Sequence, residues 1–213
     1  MRRRGRFGFG AFLVAIALMP AAASSFELPA ELPARNEGLW IINRTGKVGD
    51  GKITFDVQKI WTVCLDPRTD RALHELEIRE QQASIASRNR SCEEPQLSVS
   101  TNMLSWTMRC SGSSAIADKI GKTDVRHFVT FVNGDETRAE TVIAGPDNLA
   151  QSRGRFETRM TRLGDCMGGL KPGEMVLMHW RANGEETLKA RQMRNVFREI
   201  ENHKAAVAVR LGR

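Results

Sequence analysis

The chain has no tyrosine, and aromatic residues make up only 6% of its 213 positions. Platforms for stacking nucleic-acid bases and tyrosine-rich binding surfaces are therefore poorly supplied. Seven prolines and 18 glycines are too few for a fibrous or low-complexity chain. Long apolar runs are lacking too: Phe7 to Met19 falls short of the roughly 20 residues that a permanent membrane-spanning helix needs. Four cysteines occur, none in a Cys-x-x-Cys spacing, which leaves neither a zinc ribbon nor a thioredoxin-type redox pair. There is no Gly-x-Ser-x-Gly elbow, no His-Glu-x-x-His helix, and no Walker or dinucleotide fingerprint. What is present, 41% hydrophobic and 27% charged residues with a mean hydropathy of -0.36, suits an ordinary water-soluble domain.

The first residues carry an address. Arg2, Arg3, Arg4 and Arg6 precede the apolar run, and Pro20-Ala21-Ala22-Ala23-Ser24 follows it. A basic start, a short apolar core and a small-residue exit predict a signal peptide over residues 1–23 and a periplasmic or secreted protein. No cysteine adjoins the cut, which argues against a bacterial lipid anchor. Removing the four arginines leaves 28 basic against 25 acidic residues, so the net charge of +7 shrinks to +3. That mild basicity suits an anionic envelope surface but is no nucleic-acid footprint. The rest divides into a β-rich, disulfide-bonded domain over residues 24–176 and a helical extension over 177–213.

In an oxidising compartment an even number of cysteines implies disulfides. Cys64, Cys92, Cys110 and Cys166 allow three pairings. Cys92 and Cys110 flank two alternating runs, Leu97–Ser100 and Leu104–Met108, separated by Thr101-Asn102. A hairpin there brings the two cysteines side by side and leaves Cys64 for Cys166.

Alternation of apolar and polar residues predicts strands at Gly38–Ile42, Lys52–Cys64, Asp124–Val132, Thr137–Ala144 and Gly154–Leu163, besides the two cysteine-flanked runs. A phase shift near Lys59 suggests a bulge or a new strand there, Asn133-Gly134 is a hairpin turn signal, and Gly145 to Asn148 turns the chain again. Asp66-Pro67 opens a helix running to about Ala86. Asn183-Gly184-Glu185-Glu186 reads as a second helix start, with Leu188, Met193, Val196, Phe197 and Ile200 at helical spacing opposite basic residues. The expected fold is mainly β (α+β): a curved antiparallel sheet or partly open barrel of seven or eight strands, with one internal helix and one C-terminal amphipathic helix.

Several landmarks coincide: Gly38-Leu39-Trp40, a Thr62-Val63-Cys64-Leu65-Asp66-Pro67 junction opening a helix, a central cysteine pair, and Leu163-Gly164-Asp165-Cys166 followed by Lys171-Pro172-Gly173-Glu174-Met175. Their order over residues 28–176 resembles the exported bacterial family known as domain of unknown function 3617. The resemblance implies the fold, export and disulfides; that family has no established activity, so no catalytic residue carries over.

Chemistry is sparse. His74 and His203 read as solvated, and Glu75, Glu77 and Glu80 as an exposed helix face. Met175, Met178 and His179 are soft-ligand candidates for a metal such as Cu(I), but their spacing matches no defined motif, and no cofactor is expected. Trp61 and Trp106 are the candidates for lining a ligand cavity on the open side of the sheet. The tail residues Leu188, Met193, Val196, Phe197 and Ile200 either pack on the sheet, face a partner protein or lie on an anionic membrane. The first functional reading is a non-enzymatic exported protein binding a small apolar or amphipathic ligand or an envelope component. A protein- or membrane-interaction module acting through the C-terminal helix is the alternative, and an envelope hydrolase the third.

Overall fold

A computed structural model describes residues 27–49, 53–112, 121–145 and 153–211. Its frame is one antiparallel sheet of eleven strands, open rather than closed into a barrel. In chain order the strands are β1 (Gly38–Gly49), β2 (Thr54–Leu65), β3 (Arg90–Cys92), β4 (Gln96–Ser100), β5 (Met103–Gly112), β6 (Thr123–Asn133), β7 (Glu136–Ala144), β8 (Arg153–Gly164), β9 (Glu174–Ala182), β10 (Glu185–Glu186) and β11 (Gln192–Asn195). Helix α1 (Pro67–Ala86) follows β2, and helix α2 (Val196–Leu211) follows β11. Across the sheet the order is β10-β9-β2-β1-β8-β7-β6-β5-β3, with β11 also on β9 and β4 also on β5.

The strands outnumber the expected seven or eight because four were hidden in the sequence. β3, β10 and β11, of three, two and four residues, are too short to show a period. β9 lacks clean alternation because it carries a bulge: Trp61 pairs with Leu177 and Ile60 with His179, leaving Met178 unopposed. The bulge expected near Lys59 is not in β2, which keeps one alternation from Phe55 to Val63; the extra residue lies on its neighbour β9.

Helix α1 starts where the sequence says it should. Asp66 Oδ1 accepts a hydrogen bond from the Thr69 amide at 2.7 Å, and Pro67 occupies the first turn, where its missing N–H costs nothing. The second helix does not start at Asn183. Asn183 and Gly184 both have positive φ, 51° and 82°, the signature of a two-residue hairpin turn, and they fold β10 back onto β9. Helix α2 begins thirteen residues later, capped by Asn195 Oδ1, which accepts from the amides of Phe197 and Arg198. The segment beginning at residue 177 therefore opens inside a strand of the main sheet. The turn expected at Gly145–Asn148 lies mostly outside the described residues.

Two disulfides fasten the sheet. Cys92 joins Cys110 across the β3–β5 pairing, and Cys64 at the end of β2 joins Cys166 just beyond β8. Every described cysteine is bonded.

In-facing residues of the strands form a concave floor, and both helices lie on it. Trp40, Ile42, Trp61, Val63, Met160, Met175 and Leu177 pack against Ala72 of α1 and Val196 and Ile200 of α2. Trp106, Met108 and Val125 pack against Ile78 and Ile85 of α1. The segment before β1 adds Leu28 and Leu32, buried against Leu104, Val129 and Phe131.

Candidate functional site

The floor is not uniformly apolar. Arg44 follows Trp40 and Ile42 in the in-facing phase of β1, and Lys59 precedes Trp61 and Val63 in that of β2. The register sets Arg44 directly beside Lys59 on one side and Thr158 on the other. Above them α1 presents Glu77 and Glu80. Arg44 donates to Glu77 Oε2, to Glu80 Oε2 at 3.3 Å and, through Nε, to Thr158 Oγ1 at 3.2 Å. Lys59 Nζ donates to Glu80 Oε1 at 2.7 Å. Both cations also lie over the Trp61 ring, at 5.4 and 5.3 Å from its centroid. Glu77 and Glu80 thus face the sheet rather than water, and Glu75 bridges α1 to α2 through Lys204 at 3.0 Å. The exposed acidic face read from the sequence is corrected: its partners are strand cations that helical periodicity cannot reveal.

A second polar group adjoins the first. Arg35, almost wholly buried, pairs with Asp70 and donates to Met160 Sδ and to His74 Nε2 at 3.1 Å. Because a guanidinium only donates, His74 accepts at Nε2 and carries its proton on Nδ1. His74 is buried, not solvated. Burial, together with the Arg35 charge, holds its pKa well below the usual imidazole value. His127 is buried as well, stacked on Trp106 with ring centroids 4.9 Å apart and 2.8 Å from Thr141 Oγ1. Burial pushes its pKa down to about 4. A histidine beside a threonine hydroxyl has the form of a base and a nucleophile, but Thr141 is 1% exposed and out of a substrate's reach. Glu80 stays ionised: burial pushes its pKa up, Lys59 and Arg44 more than reverse this, and the result is about 2.

These groups enclose a cavity of about 80 Å³ between sheet and helices. Ile42, Trp61, Met160, Met175 and Leu177 supply its apolar floor, Leu73 and Leu76 its roof, and Arg194, Glu199 and His203 of the β11–α2 region one wall. His203, expected in solvent, is half-buried there. One carboxylate oxygen, Glu77 Oε1, is buried with no hydrogen-bond partner among the described residues.

Beyond the charged row the floor turns apolar and the helices no longer cover it. Phe55, Val57, Lys59 and Trp61 share the in-facing side of β2. Val48 sits opposite Phe55, Gly46 opposite both Val57 and Phe156, and Trp180 opposite Lys59. The ring of Phe156 lies over Gly46, where a Cβ would come within 2.5 Å of it. Trp180 is 47% and Phe55 38% exposed.

Of the residues singled out from the sequence, Trp61 and Met175 line the cavity, whereas Trp106 is buried beneath α1 against His127. Met175, Met178 and His179 are not brought together: Met175 faces the floor, Met178 is the bulge, and His179 pairs with Glu186 at 2.9 Å. Among the described residues no cluster of three or more His, Cys, Asp or Glu could hold a metal ion. Val196 and Ile200 are buried in the core, Leu188 and Phe197 pack against it, and Met193 is exposed. The sequence reading missed Arg35, Arg44, Lys59, Asp70, Glu77 and Glu80. Their signal is the polar series Asp70, His74, Glu77 and Gln81 at helical spacing, matched by cations in the apolar phase of β1 and β2.

Fold and site together define an open antiparallel half-shell, cross-linked by two disulfides, whose concave face is partly roofed by two helices. Residues 35–166, more than half of the chain, match the family described as "Protein of unknown function (DUF3617)", and the chain belongs to that family. No curated protein and no solved structure matches it. The match holds Arg35, Arg44, Lys59, Trp61, His74, Glu77 and Glu80; the Met175, Leu177, Arg194, Glu199 and His203 side of the cavity lies beyond it.

Proposed function

We propose that this chain is an exported, non-enzymatic domain that binds a small amphipathic molecule on the concave face of its sheet. The observation that carries this reading is the change of character across one row of the floor. A charged, roofed cavity around Arg44, Lys59 and Glu77 passes directly into an unroofed apolar strip of Val48, Phe55, Val57, Phe156 and Trp180. A molecule with a polar head and an apolar tail matches that sequence of surfaces, and an exposed apolar patch rimmed by polar groups is a common mark of a ligand groove. Export is supported by the basic-then-apolar start of the chain and by the two disulfides. Native mass spectrometry of protein purified from its host should reveal one bound amphiphile per chain, and Phe55→Asp should lower its occupancy at least fivefold. A ligand-free mass under gentle conditions would overturn the proposal.

A second reading has its own observation. The last turns of α2 leave Lys204, Ala205, Ala206 and Arg210 exposed, with Val209 at 79%. An interaction module acting through this end would lose partner or anionic-vesicle binding on Val209→Asp with its thermal stability unchanged.

A further inference from the structure

We infer that the head group accepted by the cavity is an uncharged hydroxyl, so that the ligand is a neutral alcohol-bearing amphiphile rather than an anionic or cationic one. This rests on the binding reading above and specifies its polar end.

The inference comes from what the cavity's polar groups have already spent. Its cations and carboxylates are matched: Arg35 with Asp70, Arg44 with Glu77 and Glu80, Lys59 with Glu80, and Arg194 with Glu199. His74 and His127 are held uncharged by burial. An ionic head would enter a space whose charges already balance and would lose its hydration without gaining a counter-ion. Each nitrogen of the Arg44 guanidinium already donates, to Thr158, Glu80 and Glu77.

One buried carboxylate oxygen is left over. Glu77 lines the cavity, and its Oε1 has no partner among the described residues, while Oε2 of the same carboxylate holds Arg44. A buried carboxylate oxygen needs a donor, and an O–H supplies one without bringing charge. Size agrees: the cavity of about 80 Å³ has room for a hydroxymethyl group. The apolar row starting at Val57 and Trp180 adjoins Lys59 of the cavity and takes the chain that follows the hydroxyl.

The test uses the folded, disulfide-bonded protein at pH 8 and four ten-carbon probes, each displacing the dye N-phenyl-1-naphthylamine. The probes are 1-decanol, decanoate, decylamine and decyl methyl ether, the last accepting hydrogen bonds but donating none. Decanol should bind at least tenfold tighter than the ether, the factor expected for a hydrogen bond to a charged acceptor, and tighter than either ion. Glu77→Gln should bring decanol within threefold of the ether. If that variant does not fold, the alcohol-to-ether ratio of the unaltered protein decides. Equal affinity for all four probes, or preference for an ion, overturns the hydroxyl assignment and leaves amphiphile binding standing. Failure of every probe and of the dye to bind overturns both.

Discussion

His127 spends its life without a proton. Its folded pKa lies near 4, against 6.5 for an unconstrained imidazole, because burial disfavours the charged ring. The unfolded chain takes up that proton near 6.5, so between 6.5 and about 4 it binds more protons than the folded one, and stability falls as the pH falls. The shift corresponds to roughly 3 kcal/mol for this residue. Glu80 acts in the same direction lower down. Its folded value of about 2 lies below the ordinary 4.5, so its contribution is complete above 4.5 and lost as the pH drops toward 2. Urea midpoints measured from pH 8 to pH 4 should be level above about 7 and decline below 6.5, and His127→Gln should flatten that decline. A midpoint that stays level down to pH 4 would show that the histidines titrate freely in the folded protein. None of this was legible in the residues taken alone. Glu77 and Glu80 have the spacing of a solvated face, and their partners Arg44 and Lys59 lie 33 and 21 positions upstream, a distance that no local pattern spans.

Elements were easier to read where their ends carry their own chemistry. Asp66-Pro67 announces α1 because a carboxylate cap and a proline in the first turn act within four residues. Asn133-Gly134 announces the β6–β7 turn for the same reason, although the turn itself falls one residue later, at Gly134-Asp135, with Asn133 paired to Glu136. Asn183-Gly184 carries the same hairpin signal, but the acidic pair after it imitates a first helical turn, and two reasonable local rules then give opposite answers. Tertiary pairing decides between them, since β10 and β11 both complete the edge at β9. Helix α2 then docks by Val196 and Ile200 on the floor that also holds Trp61 and Met175. Ile200→Ala should therefore cost about 2–4 kcal/mol and lower the thermal midpoint by roughly 5–15 °C, whereas Val209→Ala near the exposed end should change it by no more than a degree or two. Equal, small effects at both positions would mean that α2 does not pack on the sheet in solution.

At the scale of the molecule, the class of fold follows from alternation and turns, but the strand order does not. β1 lies between β2 and β8, and the β1–β8 contact joins segments more than a hundred residues apart. The cysteines give the one sequence clue to that closure, because the Cys64–Cys166 bond spans 102 residues and the Cys92–Cys110 bond only 18. In the chain-entropy account the long link contributes about 4–5 kcal/mol and the short one about 3. The Cys64→Ala/Cys166→Ala double variant should accordingly unfold at lower urea than the Cys92→Ala/Cys110→Ala variant, and reduction of the unaltered protein should lower the midpoint further than either. Reversal of that order would place the weaker constraint on the long loop.

The clasp between α1 and the sheet also fixes how far that helix can roll. An oily stripe tolerates a few degrees of drift, because one methyl group serves nearly as well as its neighbour. Rolling by one position, about 100°, would instead carry Leu76 and Arg79 to where Glu77 and Glu80 now stand, setting a guanidinium against Arg44 and Lys59. Rolling the other way would offer them Ile78 and Gln81, and leave both cations stranded. Ionic pairing therefore indexes the helix like a key in its slot, and the hollow beneath it keeps its dimensions while the apolar contacts around it breathe.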